Sequence, residues 1–81
     1  MMIKAIRTKI LYMLKNDFNI IEEIDYNEPL IFYGIDSLNY IKVLVGIEEL
    51  FKIKFDDNIL VYNEMTTLNN LSEAVLKLCN S

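Results

Sequence analysis

The chain has no histidine and no tryptophan, and only one cysteine, one proline and two glycines among 81 residues. Each shortage closes a class of function. Without histidine and with a single thiol, the common zinc ligand sets cannot be assembled, and no metal site is expected. Ser-His-Asp and Cys-His catalysis fall for the same reason, which excludes most active-site chemistry. One cysteine closes no internal disulfide, which makes a reducing cytoplasm the expected setting. Positive charge is short as well. Eight Lys and Arg against twelve Asp and Glu leave a net charge of −4, a poor balance for gripping the phosphates of nucleic acid. Long apolar runs are missing too. The opening MMIKAIRTKILYMLKN interleaves charges with apolar residues and offers neither a signal peptide nor a membrane span.

What is present is an apolar fraction of 53%, far too high for a disordered tail. The length suits one small domain over residues 1–81, burying about 60–65% of its unfolded surface. Ile3, Ile6, Ile10, Met13 and Leu14 recur at helical spacing and predict an amphipathic first helix ending near Asn16. Its charge is one-sided. Residues 1–20 carry Lys4, Arg7, Lys9 and Lys15 against Asp17, 4 − 1 = +3, whereas residues 21–81 carry 4 − 11 = −7. The plain reading is a core helix whose basic side faces solvent.

Residues 17–36 hold the only proline, Pro29, and no clean period. Phe18, Ile20, Ile21, Ile24, Leu30, Ile31, Phe32 and Ile35 are too many apolar residues for a solvated linker. A long loop packed on the core is expected, with a helical turn after Pro29. Loops of this length in compact domains are more often functional than incidental. The acids Glu22, Glu23, Asp25 and Glu28 lack the glycine and spacing of a calcium loop.

Ser37 to Lys52 predicts the second helix, with Asp36 or Ser37 as its N-cap. Two apolar sets emerge. Tyr40, Val43, Leu44, Ile47, Leu50 and Phe51 form the expected core stripe. Leu38, Ile41 and Val45 fall on another face beside Lys42, Glu48, Glu49 and Lys52, a candidate docking patch. Beyond it, KIKFDDN alternates like a strand without a partner strand, and Asp56 or Asp57 could cap a short helix over Asn58–Val61. Leu68, Leu71, Val75 and Leu78 then mark the last helix, with Thr66 or Thr67 as cap. The five tyrosines read as core-edge residues and Cys79 as a helix-end cysteine. The expected architecture is all-α: a small four-helix bundle of three main helices and one short third helix, with the long loop between helices 1 and 2.

Gly34-Ile35-Asp36-Ser37-Leu38 is the informative segment. A glycine turn delivers an acid and a hydroxyl to the mouth of a helix, where free amides and the helix dipole favour an anion. The plain alternative is an ordinary cap, and a pentapeptide alone does not decide between them. The wider context does. Leu30-Ile-Phe-Tyr-Gly-Ile-Asp-Ser-Leu, a helix closing on Ile47-Glu48-Glu49-Leu50-Phe51, the link Ile53–Asp57 and the entry Met65-Thr66-Thr67-Leu68 together resemble the acyl/peptidyl carrier protein family. The likeness runs from about Ile3 to Leu78.

That resemblance implies a cytoplasmic, monomeric four-helix carrier without catalytic residues. A phosphopantetheinyl transferase would attach 4′-phosphopantetheine from coenzyme A covalently to Ser37, and acyl or aminoacyl groups would ride on the arm as thioesters. Asp36 matches the acid that assists at the transferase's metal site. Leu38, Ile41, Lys42, Val45, Glu48, Glu49, Phe55 and Asp57 fall on family positions that meet partners. Those partners are adenylating enzymes that activate the acyl or aminoacyl group, then condensing and releasing enzymes, with no nucleic acid and no membrane among them. Carriers of fatty acid synthesis usually bear acids where this chain has Asn39 and Lys42. A lysine there turns an attraction to a basic partner into repulsion. The Asn39–Lys42 run looks more like stand-alone carriers of nonribosomal peptide or polyketide-type secondary metabolism. The alternatives are a fatty-acid carrier or an unmodified helical interaction module.

Overall fold

The computed structural model of the chain describes residues 2–56, 63 and 65–79. These residues form three α-helices, α1 (Ile3–Asp17), α2 (Ser37–Phe51) and α3 (Leu68–Cys79), and a 3-10 turn at Leu30–Tyr33. No helix among them is long and apolar enough to cross a membrane. The all-helical expectation stands, with three helices and the turn as the described count. The expected short helix over Asn58–Val61 and its alternative cap Asp57 lie outside the described residues.

The core follows from the helical stripes. Ile6, Ile10, Met13 and Leu14 of α1 meet Leu68, Leu71 and Val75 of α3 and Tyr40, Val43, Leu44 and Ile47 of α2. Each fully buried Ile or Leu contributes roughly 1.5–3 kcal/mol by leaving water. Gly46 marks the close approach of α2 to α1, since a Cβ there would sit 2.9 Å from the Met13 sulfur. One residue of the expected stripe fails. Leu50, on the edge of the stripe, is 45% exposed, whereas Phe51 is half-buried and packs against the core. Lys52 then ends α2 with a left-handed φ of 56°.

The loop is packed as expected. Ile20, Ile24, Leu30 and Ile35 reach the core, and the turn after Pro29 is the 3-10 turn. Backbone hydrogen bonds tie it to the start of α3. Leu30 N–H donates to Thr66 C=O at 2.9 Å as part of an antiparallel bridge that sets Pro29 opposite Thr67, and Asn69 N–H donates to Tyr26 C=O at 3.1 Å. The last of these satisfies an amide that a helix start would otherwise leave unpaired. Thr67, rather than Thr66, caps α3, through a reciprocal pair with Asn70: each backbone N–H donates to the other's side chain, at 3.0 and 3.1 Å. Thr66 is instead hydrogen-bonded to the Tyr40 side chain.

Candidate functional site

The loop's purpose in positioning is clearest at its end. Gly34 closes the 3-10 turn with φ 87°, in the left-handed region where a Cβ is strained. Its N–H donates to Ile31 C=O at 3.1 Å. Ile35, 2% exposed, then anchors the segment in the core. The next residue, Asp36, is extended and leaves its carboxylate at the helix mouth, where Oδ1 accepts from Asn39 N–H at 2.9 Å. Asp36 is therefore the N-cap, and Ser37 is the first residue of the helix. Asn39 adds a longer brace, its side-chain amide donating to Gly34 C=O at 3.4 Å.

This arrangement frees the serine. Ser37 is exposed, and the capping task that would occupy its hydroxyl is done by its neighbour. The first intrahelical bond is Tyr40 N–H to Asp36 C=O at 2.8 Å. The amides of Ser37 and Leu38 precede it and have no carbonyl to donate to within the helix. An anionic ester on the Ser37 oxygen would lie beside these amides and the positive end of the α2 dipole. The residues present thus fit a phosphate-linked group.

The residues expected to meet partners divide. Leu38 at 69% exposure, Ile41 at 44% and Val45 at 48% lie on the outward face of α2, opposite its buried stripe. Lys42 and Glu49 are exposed on the same side. Past Val45 this face runs into a groove of about 360 Å³ lined also by Glu48, Glu49, Lys52, Ile53 and Lys54. Glu48 is half-buried and already engaged, its Oε2 accepting from Phe55 N–H at 2.8 Å. Phe55 is a correction. At 6% exposure it belongs to the core, because the Glu48 bond turns the link after α2 inward. Asp57 lies outside the described residues.

Tyr33, which the spacing left without a role, braces the loop: its hydroxyl oxygen accepts from Asp25 N–H at 2.8 Å. No local pattern announces a bond across eight irregular residues. Tyr12 departs from the core-edge reading, standing exposed on α1.

Residues 9–75 match the family described as a phosphopantetheine attachment site. The chain belongs to that family. No curated protein and no solved structure matches it. As a carrier domain of this family, the chain has 4′-phosphopantetheine as its covalently bound cofactor. Carrier domains are typically non-catalytic, and they generally interact with a phosphopantetheinyl transferase and with biosynthetic enzymes.

Proposed function

We propose that the chain is a discrete acyl or aminoacyl carrier, armed at Ser37 and serving nonribosomal peptide or polyketide-type assembly in the cytoplasm. The observation that supports Ser37 is the division of labour at the helix mouth. Asp36 takes the cap at 2.9 Å and leaves the exposed serine oxygen available for esterification. Once bound, the arm supplies a thiol on which acyl groups are held. The protein's own residues supply the rest. Gly34 and Ile35 fix the turn, the amides of Ser37 and Leu38 favour the phosphate, and Leu38, Ile41 and Val45 offer apolar area to a docked enzyme.

No group of three or more His, Cys, Asp or Glu able to hold a metal occurs among the described residues. A transferase's magnesium ion touching Asp36 would therefore take its other ligands from the transferase and coenzyme A.

The test is intact mass after incubation with coenzyme A and a broad-specificity phosphopantetheinyl transferase. One phosphopantetheinyl group is expected on the wild type and none on Ser37→Ala. Unchanged mass in the wild type, under conditions that modify a known carrier, overturns the reading and leaves the unmodified interaction module. The branch rests on Lys42, exposed beside the apolar patch where a basic fatty-acid enzyme would be repelled. Loading by an adenylating enzyme should outpace loading by a malonyl transferase, and Lys42→Glu should narrow the gap. The reverse order of rates assigns the chain to fatty acid synthesis.

A further inference from the structure

The solvent side of α1 is chemically unlike the rest of the molecule. Ile6, Ile10, Met13 and Leu14 are spent in the core. Lys4, Ala5, Thr8, Lys9, Tyr12, Lys15 and Asn16 are left on or beside the outward face, with no acid in the helix before Asp17. The polar residues among them are turned back onto the helix. Thr8 Oγ1 donates to Lys4 C=O at 2.9 Å, and the Asn16 side-chain amide donates to Tyr12 C=O at 2.8 Å. Among the described residues no carboxylate pairs with Lys4, Lys9 or Lys15, and Lys9 lies over the Phe51 ring, 5.9 Å from its centroid. Between Met2, Lys4, Ala5, Thr8 and Lys9 lies a shallow groove of about 450 Å³. Met2 and Tyr12 are exposed to 77% and 72%.

We propose that this face of α1 is a second docking surface, whose occupant is an acidic amphipathic segment of a partner protein. Charge complementarity carries the choice. A strip of lysines without carboxylates, flanking a small apolar groove, fits a segment with acids on one face and a few apolar residues on the other. An anionic membrane fits less well. A helix that lies in a bilayer interface needs a broad apolar face to bury, and Ile6, Ile10, Met13 and Leu14 of α1 are already inside the protein. Residues 21–81, at 4 − 11 = −7, would also be repelled by an anionic surface. The surface belongs to a different helix from Ser37 and from the Leu38–Val45 patch, so a partner seated on α1 need not cover the attachment residue.

The probe is a synthetic helical peptide with leucine on one face and glutamate on the other, titrated into the full chain carrying its arm. Amide signals of Lys4, Thr8, Tyr12 and Lys15 should shift on titration, with those of Ile41 and Val45 unmoved. Reversal of Lys4, Lys9 and Lys15 to Glu should weaken binding by about tenfold or more, while leaving phosphopantetheinylation of Ser37 intact. Leu38→Glu should leave peptide binding unchanged. Three results overturn the proposal. One is shifts centred on α2, and another is equal affinity for a poly-glutamate peptide without leucines. The third is co-sedimentation with phosphatidylglycerol vesicles at peptide concentrations that give no binding. The Ser37 mass measurement is independent of all three.

Discussion

The two faces of α2 are built from the same residue types and are put to opposite uses. On one, Tyr40, Val43, Leu44 and Ile47 are nearly sealed from water; on the other, Leu38, Ile41 and Val45 are 44–69% exposed. The difference is set by neighbours, not by hydrophobicity. The inner face has α1 at Gly46 and the shared core to lie on, whereas nothing in the described fold covers the outer face. A small domain has too little mass to wrap a helix on all sides. A helix that stays apolar on both sides therefore carries surface available to another protein.

The largest expected effect separates the faces by stability. Leu44→Ala, at a fully buried position, should cost about 2–5 kcal/mol in denaturant unfolding, through lost transfer energy and the cavity left behind. Ile41→Ala should stay within about 0.5 kcal/mol, as surface substitutions do. If loading by partner enzymes slows for Ile41→Ala at unchanged stability, the outer face is used for docking. Equal stability losses at the two positions would erase the distinction.

A smaller effect probes the mouth of the same helix. Asp36→Ala should cost about 0.5–2 kcal/mol, because it removes the acceptor for the Asn39 amide. Ser37→Ala, at the first helical position, should remain within about 0.5 kcal/mol yet lose modification completely. Thermal or denaturant midpoints read beside intact mass show whether capping and attachment are divided between the two residues. A larger stability loss at Ser37 than at Asp36 would reverse the assignment.

Much of this was legible from spacing alone, and what was not has identifiable causes. The stripes of α1 and α3 stand out because the residues between the buried positions are largely polar. The double-faced α2 could be split because Lys42 and Glu49 mark the side that water reaches. Leu50 misled, since periodicity does not fix how wide the buried stripe is. It carries the right residue type on the margin of the stripe and is 45% exposed, while Phe51 beside it still packs against the core. The N-cap stayed open between Asp36 and Ser37 because both side chains offer an oxygen. The extended backbone of Asp36, held by Gly34 and Ile35 before it, makes the choice. Ser37 as an attachment residue came from resemblance to a family, since exposure at a helix mouth describes many serines that are never modified.

The smallest expected effect tests the inner face at its one polar side chain. Tyr40 is 3% exposed, and burial raises its hydroxyl above the ordinary 10.0, while the hydrogen bond with Thr66 works in the opposite direction. The folded state therefore holds the phenolic proton more tightly than the unfolded chain does. The resulting stability is fully present below pH 10.0 and is lost as the pH climbs through the raised folded value. Thermal midpoints measured across that alkaline range should fall for the wild type and fall less for Tyr40→Phe, which has no proton to lose there. At neutral pH the same variant should be weaker by about 0.5–1.5 kcal/mol, from the lost bond to Thr66. Identical alkaline slopes would mean that the phenol reaches water in the folded state. The inner face would then be open at the turn closest to Ser37, and the contrast between the two sides of α2 would hold only farther along the helix.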